Sequence, residues 1–286
     1  MSQSKSIGIL YICTGKYIAF WESFHESFEK YFLPDTIKNY YILTDKPENI
    51  TQSERVKAYY IDPMPWPLIT LLRFHYFTRF KDEIINNDYL MFANSNFVCR
   101  EVIQEEEFLP NDNQELSCVI HPGFYNRKAR WCPYERNRKS RAYVPYNIEG
   151  KYVMGSLICG HSDKFMKMSE ILASRINEDF NNRVIALWHD ESQFNRYVLE
   201  NSNSKRYLSP SFAYPEGWDL PFDDKLELLD KSKFFSVYTF KGYTKPELSL
   251  IEKIINLPAK IFHQLITSRY MRNILCLRDS LLMRKL

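Results

Sequence analysis

Tyr89-Leu90-Met91-Phe92-Ala93-Asn94-Ser95-Asn96 is an apolar run that ends in two amides. A short, continuous apolar run predicts a buried strand, here over residues 88–92, with the polar triplet just beyond it. An amide side chain is uncharged and binds hard cations poorly compared with a carboxylate. The triplet therefore fits a ligand-binding strand end that works without a metal ion. It also fits an ordinary turn, which Asn and Ser both favour.

The segments around this run alternate between strand and helix patterns. The predicted strands cover residues 7–12, 40–43 and 56–61, and the predicted helices cover residues 19–32, 68–85, 165–180 and 184–200. Such alternation predicts an α/β fold with a mainly parallel, doubly wound sheet, in which ligands lie beyond the carboxyl ends of strands. Residues 11–17 and 94–96 both fall at such ends.

Residues 115–160 have a different composition. Seven Pro and Gly residues interrupt them, and basic clusters occupy residues 126–130 and 135–139. This composition is typical of a loop region that binds a substrate, and it is equally typical of solvated surface loops.

The net charge of +3 is spread unevenly over the 286 residues. Residues 258–286 hold six basic residues against Asp279 alone, a net charge of +5, so the remaining residues carry about −2. A main body without a basic field argues against nucleic acid as the partner.

Residues 259–286 also show an apolar stripe at helical spacing. This pattern predicts either a basic helix that lies on an anionic membrane surface or a terminal helix docked on the body.

The cysteine pattern and the hydropathy narrow the class of protein further. Six cysteines are scattered without a CxxC pair, which argues against a zinc site or a disulfide framework. Residues 1–6 lack a signal-peptide pattern, and no run reaches the roughly 18 apolar residues of a membrane span. At 45% hydrophobic content the chain can bury a sizeable core. We therefore expect a cytoplasmic globular protein.

Several separate motifs follow one another along the chain. They are Lys16-Tyr17-Ile18-Ala19-Phe20, His121-Pro122-Gly123-Phe124-Tyr125, Tyr134-Glu135-Arg136, Ser140-Arg141-Ala142-Tyr143-Val144-Pro145, Tyr152-Val153-Met154-Gly155-Ser156, Trp188-His189-Asp190-Glu191-Ser192, Asn195-Arg196-Tyr197 and Leu208-Ser209-Pro210. In this order they resemble the signature of glycosyltransferase family 6, over about residues 7–245. That family contains the histo-blood-group A and B transferases, the α-1,3-galactosyltransferases and bacterial relatives.

The resemblance implies a GT-A fold, which is Rossmann-like, with a mainly parallel sheet flanked by helices and an integrated acceptor-binding half. The catalytic domain would cover residues 1–245, with a nucleotide-binding half to about residue 115 and an acceptor and catalytic half over about 116–245. Residues 246–286 would form a basic amphipathic helical tail outside it, with possible peripheral membrane contact.

The resemblance also implies a site for a UDP-sugar donor. The implied donor-binding residues are Ile12, Thr14, Lys16, Tyr17, Arg73, Asn94, Asn96, Met154, Ser156, Asp190, Lys233 and Lys241. Tyr17 would stack on uracil. Arg73 and Lys16 would offset the diphosphate charge, together with Lys233, Lys241 or Lys245 from the C-terminal part.

The clear departure from the family is the amide triplet. Asn94-Ser95-Asn96 stands where animal members have Asp-x-Asp. Similar bacterial members with Asn-x-Asn are regarded as metal-independent. We therefore expect no divalent metal and no other cofactor, with the UDP-sugar as a substrate.

Glu191 matches the family's carboxylate beneath the anomeric carbon of the donor. The family retains anomeric configuration, so Glu191 would act as a nucleophile or stabilise an oxocarbenium-like transition state. The sequence leaves both open. His121, Tyr134, Trp188 and His189 match acceptor-side residues.

Substrate choice follows from the same resemblance. Met154, followed two residues later by the small Ser156, favours UDP-galactose over UDP-GalNAc. The implied acceptor is the 3-hydroxyl of a β-galactoside, with or without the fucose of an H-antigen-like glycan. A bacterial-type enzyme would add this epitope to lipopolysaccharide or capsule precursors.

Two other functions are compatible with parts of the sequence. The lost carboxylates would suit a catalytically inactive protein that binds nucleotide sugars or serves as a scaffold. A metal-dependent transferase with His189, Asp190 and Glu191 as ligands is disfavoured, because consecutive residues on a regular helix cannot all face one ion.

Overall fold

The computed structural model describes residues 4–236. Ten strands occur there in chain order: β1 (Ser6–Ile12), β2 (Ile37–Thr44), β3 (Val56–Tyr60), β4 (Tyr89–Asn94), β5 (Phe97–Cys99), β6 (Leu116–Ile120), β7 (Val153–His161), β8 (Lys205–Leu208), β9 (Tyr214–Pro215) and β10 (Leu226–Leu228). Lys241, Lys245 and the predicted tail of residues 246–286 lie outside the described residues.

Seven of these strands form one sheet in the order β3-β2-β1-β4-β7-β6-β8. The strands are parallel except β7, which runs antiparallel to both β4 and β6. The predicted mainly parallel α/β sheet is therefore confirmed. In β1 and β4 the register pairs Ile12 with Asn94, so these two strands end side by side.

A second, three-stranded sheet in the order β5-β10-β9 brings the C-terminal part of the described chain to this strand end. β10 pairs antiparallel with β5, which starts directly after the amide triplet. As a result, residues 226–229 lie beside residues 96–99.

The helices agree only partly with the sequence prediction. Seven α-helices are present in the described chain: α1 (Trp21–Tyr31), α2 (Leu68–Leu71), α3 (Arg73–Arg79), α4 (Lys81–Ile84), α5 (Glu105–Phe108), α6 (Ser162–Asn181) and α7 (His189–Glu200). Short 3-10 helices cover Gly15–Phe20, Pro47–Asn49, Ala129–Trp131, Ser202–Ser204, Pro210–Ala213 and Lys231–Lys233. None of the described helices is both long and apolar enough to span a bilayer.

Two predicted helices differ from the structure. The helix expected over residues 68–85 is broken into α2, α3 and α4, because Leu72 and Phe80 leave helical geometry at the joints. The helix expected over residues 184–200 starts only at His189. Before it, the buried carboxylate of Glu135 accepts a hydrogen bond from the Leu187 amide, which holds this segment out of a helix.

The core lies on both faces of the large sheet. Along β1 and β4, alternate side chains enter two separate clusters, one containing Tyr11 and Met91 and the other containing Leu10 and Phe92. This period-2 alternation is what a strand buried on both faces requires. The first cluster packs under α1, where the rings of Phe24 and Phe28 stack with centroids 4.0 Å apart.

A third, smaller cluster lies under the loops between β6 and β7. It consists of buried residues, namely Phe124, Ala129, Cys132, Tyr134, Val144 and Tyr152. Residues 115–160, predicted from composition to be a loop region, include β6 and most of β7. Only the segment between these two strands consists of loops, and it is anchored on this third cluster.

Candidate active site

A cleft of about 250 Å³ opens where β1 and β4 end. This is the position at which an α/β sheet binds ligands. Its lining comes from the ends of both strands, the segment before α3, and the C-terminal segment: Ile12, Thr14, Tyr17, Met64, Trp66, Ile69, Thr70, Arg73, Phe92, Asn94, Ser95 and Lys231.

Five of the predicted donor-binding residues line this cleft, namely Ile12, Thr14, Tyr17, Arg73 and Asn94. Lys16 does not, because its side chain is exposed on the 3-10 helix that follows β1. Of the residues expected at the donor site, these five therefore lie together at the strand ends, and Lys16 lies apart from them.

Asn96 is turned away from the cleft. Its side-chain Nδ2 donates to the Leu229 carbonyl oxygen at 2.7 Å, and its backbone carbonyl oxygen accepts from the Leu229 amide at 2.9 Å. The pairing of β5 with β10 imposes this orientation. Of the two amides, only Asn94 lines the cleft, together with Ser95.

The lysine that lines the cleft is Lys231, not the predicted Lys233. The Lys231 ammonium lies 5.1 Å from the centroid of the Tyr17 ring. Lys233 points to the surface, where it forms an ion pair with Glu216 at 2.6 Å. The local sequence gives no signal to tell these two lysines apart, since the tertiary fold decides which one faces the cleft.

Glu191 is held at both carboxylate oxygens. Tyr152 donates its hydroxyl to Oε1 at 2.7 Å, and the Gly155 amide donates to Oε2 at 2.9 Å. The side chain is half-buried at the start of α7. Two hydrogen bonds to a charged acceptor fix its position strongly.

Gly155 is required there because of close approach. A Cβ atom on Gly155 would lie 3.0 Å from the Cβ of Glu191 and 3.2 Å from its Cα. Only glycine lets β7 and the start of α7 come this near.

Asp190 forms a buried ion pair with Arg73, with Oδ2 3.1 Å from Nε. Arg73 also donates from Nη1 to the Gly155 carbonyl at 2.7 Å and lies with its Cζ 4.3 Å from the centroid of the Phe92 ring. Burial raises the pKa of Asp190 to about 6, although the Arg73 charge opposes this shift. Arg73 therefore links the cleft to the two carboxylates of α7.

The first residue of α7 has an unusual backbone. His189 has φ 52°, a left-handed conformation that is uncommon for residues other than glycine. It packs edge-on against Trp66, a cleft-lining residue, with ring centroids 5.1 Å apart. The turn at His189 starts α7 so that the next two residues, Asp190 and Glu191, reach Arg73 and β7.

His121 and Tyr134, two of the predicted acceptor-side residues, both contact the ring of Tyr152. Their ring centroids lie 5.7 Å and 5.0 Å from it. The Gly123 amide donates to Nδ1 of His121, so the neutral imidazole carries its proton at Nε2. Burial lowers the pKa of His121, which favours this neutral form, while the Glu191 charge opposes the shift.

Three polar atoms around Glu191 are buried without a hydrogen-bond partner among the described residues. They are the Tyr134 hydroxyl, Oγ of Ser156 and Nε1 of Trp188. A buried polar atom left unpaired costs free energy, so such atoms mark places where a ligand would supply the missing bonds.

Met154 and Ser156 lie where β7 is irregular. Val153 belongs to the same core cluster as Phe92, whereas Leu157 belongs to the cluster of Met91 on the opposite face of the sheet. In a regular strand, residues four apart would share a face. The pairing of β6 with β7 shifts register over the same residues. Met154 is partly buried and Ser156 buried, beside the end of β4.

No group of three His, Cys, Asp or Glu side chains converges as a cation site within residues 4–236. His189, Asp190 and Glu191 do not form one. Asp190 is paired with Arg73, and both Glu191 oxygens accept hydrogen bonds. At the amide triplet, Asn94 alone faces the cleft, so the residues present do not fit the Asp-x-Asp type of metal site.

Sequence reasoning missed several residues of this site. It gave no role to Trp66 or Lys231, and it quoted Tyr152 only as a member of a signature motif. Only the sequence neighbourhood of Tyr152, two residues before Met154, could have pointed to it.

The mainly parallel sheet flanked by helices is consistent with the GT-A fold of glycosyltransferases, and comparison with known proteins agrees with this class. A sequence model of glycosyltransferase family 6 matches residues 1–235. The O-antigen biosynthesis glycosyltransferase WbnI of Escherichia coli is 34% identical over 229 residues, which cover 79% of this chain and 95% of that protein.

Two animal proteins are also similar. The histo-blood group ABO system transferase 2 of Rattus norvegicus is 26% identical over 227 residues, covering 76% of this chain and 66% of that protein. The globoside alpha-1,3-N-acetylgalactosaminyltransferase 1 of Gallus gallus is 28% identical over 227 residues, covering 76% and 64%. The chain spans about two thirds of the length of these two relatives. The present chain belongs to glycosyltransferase family 6.

Proposed function

We propose that this glycosyltransferase moves galactose from UDP-galactose, with GalNAc from UDP-GalNAc as the alternative, to the 3-hydroxyl of a β-galactoside with retention of configuration and without a metal ion. The observation that carries the proposal is the Glu191 carboxylate, which Tyr152 and Gly155 hold at both oxygens beside the cleft. A protein that only bound nucleotide sugars would not need a carboxylate fixed in this way.

The donor would lie in the cleft, with uracil against Tyr17 and ribose near Thr14 and Asn94. Its anomeric carbon would face Glu191. As the bond from this carbon to the diphosphate oxygen breaks, its electron pair leaves with UDP and positive charge develops on the sugar. The fixed carboxylate stabilises that charge, either electrostatically or by bonding to the carbon.

Cationic side chains would offset the charge of the leaving diphosphate. Arg73 and Lys231 both line the cleft, although they are far apart in the sequence. Asn94 can donate amide hydrogens to ribose or phosphate oxygens, which an ionised Asp cannot do. These groups support a metal-independent reaction, since together they supply charge and donors where animal relatives have Asp-x-Asp.

The acceptor would approach from the side of the third cluster. His121 presents its Nε2 proton there, and the unpaired Tyr134 hydroxyl and Trp188 indole provide further hydrogen-bond donors. Three such donors suit a sugar, whose hydroxyls accept hydrogen bonds. The fucosylated, H-antigen-like β-galactoside is the acceptor that the family relationship favours.

The test incubates the purified full chain with UDP-galactose or UDP-GalNAc in EDTA, with and without 2′-fucosyllactose. UDP release and the trisaccharide product are followed by mass spectrometry. Turnover should survive EDTA and be lost in Glu191→Gln. Glu178→Gln is the matched control, because Glu178 is a half-exposed carboxylate that pairs with Arg141 on the surface. No turnover of either donor, with UDP still bound, would overturn the proposal in favour of a binding protein.

Donor choice has its own test. Ser156→Gly removes a buried side chain whose hydroxyl has no partner among the described residues. It should shift the ratio of kcat/KM toward UDP-GalNAc by roughly tenfold, the scale expected for one small group in a pocket. An unchanged ratio would exclude Ser156 as the residue that discriminates between donors.

A further inference from the structure

The loops over the third cluster carry an exposed surface that combines basic and aromatic side chains. We define it as the basic aromatic surface, made of Lys128, Arg130, Trp131, Arg136 and Tyr146. Trp131 is 62% exposed and Tyr146 60%, an exposure unusual for rings of this size. The Arg130 Cζ lies 5.6 Å from the Trp131 ring centroid and the Arg136 Cζ 4.3 Å from that of Tyr146.

The charge of this segment sets it apart from the rest of the chain. Residues 126–146 hold seven basic residues against Glu135 alone, a net charge of +6. Since the whole chain carries +3, all other residues together carry −3. Glu135 is buried and accepts hydrogen bonds from the amides of Leu187 and Asn137.

Most of this positive charge is not neutralised locally. Among the described residues no carboxylate pairs with the following five: Arg127, Lys128, Arg130, Arg138 and Lys139. Arg141 of this segment pairs with Glu178. A solvated surface usually mixes both signs, so a one-sign segment indicates an anionic partner.

The surface is held in place from below. Arg136 donates from Nη1 to the carbonyls of Val144 and Pro145, which ties the middle of the segment to its C-terminal end. An open hollow of about 480 Å³ lies between Lys128, Arg130 and Tyr146, with Glu149 as its one acidic side chain. The buried ring of Tyr134 is part of the third cluster under this layer.

We propose that the basic aromatic surface docks the enzyme on an anionic lipid bilayer. Trp and Tyr rings prefer the headgroup level of a bilayer, where one end of the ring is apolar and the other polar. Basic side chains beside them bind anionic headgroups. Apart from the basic residues 258–286, the remaining chain is net negative and would be repelled, so within residues 4–236 this face is the one that turns toward the membrane. A nucleic acid or an acidic protein would use the charge but would not require two exposed aromatic rings.

The basic aromatic surface lies near the acceptor-side residues, so docking would serve the transfer reaction. This step rests on the proposed function. Arg127 lies over Phe124, whose ring is 4.7 Å from that of His121, an acceptor-side residue. Docking would therefore bring the acceptor side to the membrane. A glycan carried on a lipid would then reach the site from the bilayer, while the nucleotide cleft stays accessible to the soluble donor.

The experiment mixes the full chain with vesicles of phosphatidylcholine, with or without phosphatidylglycerol, in which a share of the acyl chains is brominated. Bromine quenches tryptophan fluorescence only at short range. We expect quenching with anionic vesicles that is lost in Trp131→Phe and kept in Trp218→Phe. Trp218 is the matched control, because it is also exposed, at 49%, and lies outside the surface.

Charge variants test the electrostatic part by co-sedimentation with the same vesicles. Each removed charge should weaken partitioning about fivefold, so Lys128→Gln with Arg130→Gln should weaken it roughly 25-fold. The exposed pair Lys57→Gln with Arg79→Gln should leave it nearly unchanged.

Two results would overturn the docking proposal. One is sedimentation with vesicles without quenching of Trp131, which would assign binding to another part of the chain. The other is equal binding to soluble dextran sulfate or DNA and no quenching, which would assign the surface to a polyanion. Glu191→Gln should bind vesicles like the wild type, so a failure of the proposed catalysis would leave this test unaffected.

Discussion

Gly155→Ala should separate catalysis from folding in this enzyme. The added Cβ would lie 3.0 Å from the Glu191 Cβ, whereas ordinary contacts begin at 3.4 Å. The backbone of β7 and the start of α7 must therefore move apart by about 0.4 Å or more. The same movement lengthens the 2.9 Å hydrogen bond from the Gly155 amide to Glu191 and disturbs the carbonyl that accepts from Arg73.

The expected magnitudes follow from this geometry. Overpacking of one methyl group costs about 1–3 kcal/mol of folding stability. Displacement of a reacting group by up to about 1 Å costs roughly 100-fold in rate. Gly155→Ala should therefore fold, melt a few degrees lower, and lose about two orders of magnitude in kcat with a small change in KM.

The assay measures UDP release at saturating donor and acceptor, at a temperature at which thermal unfolding curves show each variant to be folded. Gly160→Ala is the control on the same strand, because its Cβ would meet Leu116 and the Glu115 carbonyl, the latter at 2.8 Å, away from the site. It should lose stability and keep kcat. Wild-type kcat in folded Gly155→Ala, or an equal loss of kcat in both variants, would refute the reasoning.

Four further predictions concern the same site. Tyr152→Phe removes one of two hydrogen bonds to Glu191 and should lower kcat about tenfold or more, measured in steady-state assays with thermal melts as control. Because burial raises the pKa of Asp190 from 3.8 to about 6, kcat should rise with pH through about 6 as this carboxyl ionises, and a pH profile without that limb would contradict its role as an anion. The same shift means that the contribution of Asp190 to stability is present below pH 3.8 and is lost as pH rises to about 6, which urea titrations at several pH values can check. Lys231→Ala should raise KM for the donor or lower kcat, whereas Lys233→Ala should change neither, since the latter lysine forms its ion pair on the surface.

The sheet could be predicted from local sequence because each buried strand is a continuous apolar run. Residues 89–94 show this well, since a strand covered on both faces needs apolar side chains at every position. The location of the cleft followed directly, as it lies at the carboxyl ends of two such strands. Tyr17 and Asn94 follow these strands closely in the sequence, and both line the cleft for that reason.

Other features depend on contacts between distant segments. The apolar spacing of residues 184–188 is compatible with a helix, whereas the distant carboxylate of Glu135 accepts from the Leu187 amide and favours the non-helical form. Likewise, Asn96 leaves the cleft because of Leu229, which is 133 residues away in the chain. No periodicity over a short window carries such information, and so the orientation of side chains at the site was the least predictable part.

The bond between Asn96 and residue 229 also bears on how such enzymes evolve. An ionised Asp at position 96 can only accept hydrogen bonds, so it would face the Leu229 carbonyl oxygen and repel it. That single substitution would loosen the segment that carries Lys231 before any cation site existed to replace it. A lineage with this C-terminal arrangement must therefore change both segments together to adopt metal-dependent chemistry, and each half of the change is disfavoured without the other.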